Sequence, residues 1–226
     1  MKMKNVGVLL RMAMMGAVLL LETARASEYF PRWVGRLDMG GTIPLDANIT
    51  EFGGPMGDGK LKLSPGFQMD LALGWRATPW LELGPELGFT FNSVDSIGGW
   101  SYPDTTLGQI LMMANVRLEY PSESRLAPFI GAGIGGAASF LTFGANDWGY
   151  YYEEPDGEAQ DISLAFQAFG GLRYSFSEKC SLGVVYRYLF TDRQHWDVDW
   201  WTGPDFDIEV DSIRMHSICL VFSLAF

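Results

Sequence analysis

Cysteine is nearly absent, with two residues in 226. That excludes a disulfide-dense scaffold and any structural zinc cluster built on cysteine. Histidine is as scarce, with only His195 and His216. There is no excess of base: 16 Lys and Arg stand against 27 Asp and Glu, a formal charge of −11, which argues against nucleic acid as a partner. The mean hydropathy of +0.06 is too low for a bundle of membrane-spanning helices. The chain is not of disordered type either, since 48% of it is hydrophobic and 14% aromatic. The length suits one domain or two small ones. These absences leave one membrane class open, a β-barrel, because half of each of its strands is polar.

The first 26 residues read as a cleaved secretory signal. Lys2, Lys4 and Arg11 form a positive start, Met12–Leu21 is an unbroken apolar run, and Ala24-Arg25-Ala26 is a small-x-small cleavage site. The apolar run is too short to span a bilayer as a helix. The expected domain is therefore 27–226. Loss of 1–26 removes four bases and one acid, leaving 12 bases against 26 acids, a charge of −14.

No later segment reads as a spanning helix. The uncharged stretch Leu126–Asn146 contains Pro128 and glycines at 131, 133, 135, 136 and 144, and each glycine costs about 1 kcal/mol in a helix interior. The prevailing period is two. Apolar and polar or small residues alternate through Trp33–Ile43, Phe67–Arg76, Leu81–Asn92, Gln109–Tyr120, the Gly-rich segment around Gly131–Gly135, Leu164–Phe176, Leu182–Phe190 and Ile218–Phe226. That predicts eight strands of the length a tilted strand needs to cross a bilayer. Short links at 77–79, 121–127 and 177–179 alternate with long ones at 44–60, 93–105, 141–161 and 191–211. The expectation is an all-β fold: a single eight-stranded antiparallel up-and-down transmembrane β-barrel, with short turns at one end and four long loops at the other.

The polar faces indicate which side is inside. They carry Arg36, Arg76, Arg117, Arg173 and Arg187 against Asp38, Asp70, Glu82, Glu86 and Glu119. A balanced set suits a closed lumen of ion pairs, because a buried ion is expensive unless paired. Arginine serves packed, bidentate pairs better than lysine, and after residue 26 lysine occurs only at 60, 62 and 179. Aromatics sit near the ends of the apolar faces: Trp33, Trp75, Tyr120, Tyr174, Phe176 and Phe226 toward the short turns, and Phe91, Phe140 and Phe190 toward the long loops. Two such girdles mark membrane interfaces. An eight-stranded lumen is only wide enough for its own side chains, so an open pore is not expected.

The run Tyr186-Arg187-Tyr188-Leu189-Phe190-Thr191-Asp192, followed by His216-Ser217-Ile218 and a last strand ending on Phe226, resembles the opacity/OmpA-like outer-membrane β-barrel proteins. Pro128-Phe129 followed by Gly131-Ala132-Gly133-Ile134-Gly135 resembles their fifth strand. The resemblance implies location in the outer membrane of a diderm bacterium, with periplasmic turns and extracellular loops. It implies a structural, adhesive or surface-interaction role, and Phe226 as the signal read by the barrel-assembly machinery. The usual Arg or Tyr just before that aromatic is replaced here by Leu224-Ala225. The implied partners are outer-membrane lipid and lipopolysaccharide, and an extracellular protein or glycan; nucleic acid is not among them.

Catalytic signals are weak and no catalytic residue is assigned. His216 and Ser217 are adjacent, so on a strand they face opposite ways and cannot act as a nucleophile–base pair. No cofactor is implied by the strands. The long loops are rich in acids and aromatics, and Asp197, Asp199, Asp205 and Asp207 form two Asp-x-Asp pairs that could bind Ca²⁺ or Mg²⁺. Cys180 and Cys219 fall at different heights on the last two strands, beyond disulfide reach, and are expected as free thiols. Three functions remain open at this point: a non-enzymatic surface protein, a small conduit for ions or solutes, and a membrane-embedded hydrolase.

Overall fold

The computed structural model describes residues 32–52, 59–101, 104–122, 124–142, 158–198 and 206–226; the expected signal segment lies outside them. The elements are β1 (Trp33–Pro44), β2 (Ala47–Phe52), β3 (Lys60–Leu63), β4 (Gly66–Arg76), β5 (Leu81–Ile97), β6 (Thr106–Glu119), β7 (Leu126–Thr142), β8 (Glu158–Ser175), β9 (Cys180–Thr191), β10 (Gln194–Val198), β11 (Phe206–Val210) and β12 (Ile213–Ala225). All pairings are antiparallel. The ring β1-β4-β5-β6-β7-β8-β9-β12 closes where β1 pairs with β12 from Val34–Ala225 to Pro44–Met215. Backbone bonds between Trp33 and Phe226 pin the seam at the short-turn end, at 3.1 and 2.9 Å. Higher on the seam the strands approach so closely that a Cβ on Gly40 would collide with the Ile218 carbonyl.

Side chains alternate across this wall as the sequence requires. Met112, Ile130, Ile134, Leu164, Ile218 and Leu220 are all more than half exposed on the outer surface, while Arg36, Asp70, Glu86 and Arg187 are buried inside. An apolar belt of this extent has no place on a water-soluble protein and marks a membrane-facing surface.

The structure differs from the sequence expectation at the long-loop end. The strands are longer than a bilayer needs: β8 has 18 residues, or about 45 Å of height at the usual barrel tilt, against an apolar band of about 25 Å. The links expected as loops at 44–60 and 191–211 also contain four strands. These pair as β10-β11-β2-β3 and join the upper end of β5, extending the sheet beyond the barrel rim as a head.

The patterning inverts where the head begins. Low on β5, Leu83, Leu87, Phe89 and Phe91 face out while Glu82, Glu86, Thr90 and Asn92 face in; above, Ser93 and Asp95 face out while Val94 and Ile97 are buried. On β9 the outward series Leu182, Val184, Tyr186, Tyr188, Phe190 gives way to exposed Asp192. Apolar-out becomes polar-out at the level where lipid gives way to water.

One stretch of wall is irregular. β4 and β5 pair from Phe67–Phe91 to Ala72–Glu86 and again at Trp75–Leu83, but Leu73 and Gly74, paired to β1 on their other side, have no partners on β5. Pro85, which has no N–H to give to a ladder, sits at this interruption. A groove of about 480 Å³ opens on the outer surface there, lined by Leu71, Leu73, Pro85, Leu87, Phe222 and Leu224 among others.

Candidate functional site

All ten charged residues predicted for the polar faces point into the lumen, and they form three clusters. Arg187 on β9 is the centre of the first. Its Nη2 lies 3.1 Å from Asp38 Oδ2 on β1 and 3.3 Å from Asp70 Oδ2 on β4, and its Nη1 bonds Glu86 on β5 and donates to Gln167 Oε1 on β8 at 2.7 Å. Gln167 Nε2 donates in turn to Glu86 Oε1 at 2.8 Å and to Asn115 Oδ1 on β6 at 2.7 Å. Gln68 Nε2 donates to Asp70 Oδ2 at 2.8 Å. One guanidinium thus ties five of the eight barrel strands across the lumen, and Gln167 extends the network to a sixth, β6. The guanidinium's planar fork of five donors makes this possible; an ammonium could not face so many partners.

The other clusters have the opposite balance. Glu82 is bonded by Arg36 and lies 3.6 Å from Arg76 Nε. Glu119 is bonded by Arg173 and lies 3.3 Å from Arg117 Nη2. Three acids surround one base in the first cluster, and two bases flank one acid in each of the others. The lumen is neutral as a whole and not cluster by cluster, so the clusters also hold one another in place. Aromatic faces join in: the Arg117 guanidinium stands 3.6 Å above the Phe129 ring, and that of Arg187 lies 5.6 Å from the Phe169 ring. Phe129 and Phe169 pack with Val185, Cys219 and Val221 in an apolar patch on one wall of the lumen.

The upper lumen is largely apolar, with neutral polar side chains such as Asn92 and Gln109 among the apolar ones. Leu107, Leu111 and Met113 of β6, Ala137 and Leu141 of β7, Leu189 of β9 and Met215 of β12 turn inward and pack against Ile49, Leu61, Trp196, Ile208 and Val210 of the head strands. Trp196 is completely buried, with its Nε1 donating to Ser139 Oγ at 3.1 Å. β10 is held down further by Gln194 Nε2 to Thr191 Oγ1 at 3.0 Å and by the His195 N–H to Asp161 Oδ2 at 2.9 Å. The expectation of a polar interior is corrected to this extent: ion pairs fill the lower lumen and an apolar core fills the upper one. The signal for it lay in the links, where Ala47/Ile49, Leu61/Leu63, Trp196/Val198 and Ile208/Val210 alternate with polar neighbours over stretches too short to stand out among the acids.

The remaining predicted residues are scattered. Asp197 and Asp207 stand opposite each other in the β10–β11 register. Asp199 and Asp205 lie outside the described residues, among which no group of three or more His, Cys, Asp or Glu could hold a metal ion. His216 Nδ1 is bonded to the Tyr186 hydroxyl at 2.6 Å. Phe226 follows the last residue of β12 and is exposed. Both cysteines are free: Cys180 pairs with Leu224 on β12, while Cys219 stands opposite Val185.

The family model of the outer membrane protein beta-barrel domain matches residues 14–226. The chain belongs to this family. It is an outer-membrane protein, and the short turns are periplasmic and the head extracellular, as in barrels of this kind. Among solved structures it is similar to OprG from Pseudomonas aeruginosa, with a TM-score of 0.61 and 12% identity over 87% of this chain and 97% of that one. It is similar also to Neisserial surface protein A, with a TM-score of 0.55 and 15% identity over 86% and 97%. The outer membrane protein AlkL gives 0.51 and 13% over 89% and 93%. At such identities the likeness is one of fold. No curated protein matches the sequence.

Because the lumen is neutral, the excess negative charge of the chain lies outside it. The periplasmic side carries Arg32, Arg125 and Lys179 against few acids, so the excess belongs to the extracellular connections. Removing Arg187 would strand three buried carboxylates. Arg187→Met is expected to destabilise the barrel by about 3–5 kcal/mol, the usual cost of leaving a buried charge unpaired. The check is the urea midpoint of the refolded protein in detergent, and a wild-type midpoint would contradict the central place given to this residue.

Proposed function

We propose that this protein is a non-conducting, non-enzymatic surface protein whose barrel anchors an acidic extracellular head used for contact with other molecules. The observation that carries this reading is the double closure of the lumen, by the Arg187 network below and by Trp196 and its apolar neighbours above. Among the described residues these two cores stand across the lumen, which supports a barrel closed to solutes and favours the outer surfaces as places for recognition. The sequence favours it too: the connections 143–157 and 199–205, outside the described residues, carry Trp148, Tyr150, Tyr151, Tyr152, Trp200 and Trp201 among many acids, and aromatic side chains supply stiff contact area at small entropic cost. Phe226 keeps its proposed role as the assembly signal.

Two experiments test the reading. In planar bilayers the refolded protein is expected to give no unitary conductance steps; discrete steps would overturn the closed lumen. Cells displaying the protein are expected to lose binding to arrayed glycans and matrix proteins when 143–157 and 199–205 are replaced by Gly-Ser linkers, with the heat-dependent gel mobility of a folded barrel retained. Equal binding by the two forms would remove the head from the reading.

A second reading, lateral passage of small apolar solutes, is favoured by the interrupted β4–β5 ladder and the apolar groove beside Pro85. Restoring the missing donor with Pro85→Val should then lower uptake of a small alkane by cells carrying the protein. Unchanged uptake would dispose of it.

A further inference from the structure

From the periplasmic rim up to Phe190, no outward-facing residue of the eight barrel strands is Asp, Glu, Lys or Arg. The first to break this rule is Arg214, which pairs with Phe190 in the β9–β12 register and so lies at the outer edge of the apolar belt. A guanidinium at that depth is costly unless an anion meets it. None is supplied by the barrel wall: Arg214 makes no ion pair among the described residues, and its Nε is buried without a hydrogen-bond partner. Asp192, two residues beyond Phe190 on the neighbouring strand, turns its Oδ1 to the Arg193 N–H at 2.9 Å.

The surroundings of Arg214 are organised. His216 lies two residues further down the same face of β12, about 7 Å away along the strand. Its ring is held between Tyr186 and Tyr188, with centroid separations of 5.9 and 5.1 Å, and its Nδ1 is bonded to the Tyr186 hydroxyl at 2.6 Å. With Nδ1 accepting that proton, the Nε2–H of a neutral imidazole is left to donate elsewhere. Below and beside this pair the wall is apolar, with Ile43 57% and Ile218 60% exposed. A base thus stands at the height of a lipid headgroup, with a second donor just below it and surfaces suited to acyl chains beside and beneath that donor.

We infer that Arg214 and His216 form a binding site for the phosphate of the phosphorylated glycolipid of the outer leaflet, lipopolysaccharide. The guanidinium takes two phosphate oxygens in its fork, the imidazole Nε2–H donates to a third, and Ile43 and Ile218 contact the acyl chains. The head supplies a reason for a dedicated site. Its excess of carboxylates repels a phosphorylated leaflet, and one base at the interface gives that leaflet a fixed attachment without a bridging cation.

The test uses the refolded mature protein in detergent, with EDTA present so that divalent cations cannot join the acidic head to lipid phosphate. The probes are bis-phosphorylated lipid A, the same lipid with its phosphates removed, phosphatidylglycerol and inorganic phosphate. The wild type should bind the phosphorylated lipid A about tenfold or more tightly than the dephosphorylated form, as expected of a charge-assisted contact. Inorganic phosphate should not displace it, and phosphatidylglycerol should bind more weakly. Arg214→Ala should abolish the preference, and Arg214→Lys should keep part of it. Equal binding of the two lipid A forms by the wild type, equal binding of phosphatidylglycerol, or a preference that survives in Arg214→Ala would each overturn the inference. Heat-dependent gel mobility shows whether each variant is folded, and the wild-type comparison stands without any variant.

Discussion

The interior of an eight-stranded barrel has room for side chains and for little else, and that constraint governs the rest of this structure. Whatever faces inward must be packed and satisfied as a protein core is, while the outer wall faces hydrocarbon. In a soluble domain the core is apolar because the outside is water. Here the outside is lipid for much of each strand's length, and an apolar lumen would leave nothing to distinguish the two faces. A shift of one residue in register would then cost little, since it only exchanges the faces. Charges at Arg36, Asp38, Asp70, Glu86 and Arg187 remove that ambiguity, because none of them can be turned to lipid without severe cost. Arg187 has the most to lose from a slip, since its hydrogen-bond partners Asp38, Glu86 and Gln167 and its ion-pair partner Asp70 lie on four other strands.

Much of this was legible in the sequence for the same reason. Where one face meets lipid and the other a filled lumen, the period of two is strict, and it identified all eight barrel strands and the inward direction of all ten charged residues. The pairing of those residues was not legible. Alternation assigns a face to each residue and says nothing about which carboxylate comes near which guanidinium across the lumen. That depends on strand stagger, which brought Arg187 to Asp38, Asp70 and Glu86 and left Glu82 to Arg36 and Arg76. The head was not legible either. Its strands are four to six residues long, and two or three alternating pairs amid many acids resemble a solvated loop. The place of Phe129 and Phe169 in the lumen was not legible either, because each shares the inward face with glycines and charges, where an aromatic ring is useful as a partner for a guanidinium.

The head and the barrel have opposite interiors in one continuous sheet, and β5 shows why. As it rises past Phe91 the medium outside changes from hydrocarbon to water, and the residue classes on its two faces exchange: Thr90 and Asn92 inside give way to Val94 and Ile97, and Phe89 and Phe91 outside give way to Ser93 and Asp95. The change of solvent specifies the change of core. It also fixes the height of the membrane without reference to the aromatic girdles, and it places Arg214, opposite Phe190, at that boundary.

The two cores resist a breach in different ways. In the lower lumen a solute would have to break ion pairs whose partners cannot find water, and the neutrality shared among the three clusters means that disturbing one unbalances the others. In the upper lumen it would have to open a packed apolar core and draw out Trp196, which is held by a hydrogen bond as well as by contact. An ion is poorly served by the apolar core, and an apolar solute by the ionic one. A path along the axis for either kind of solute would therefore need both cores to open together, and nothing in their chemistry couples the two openings. Recognition on the head and at the lipid-facing edge, as proposed above, would require neither to open.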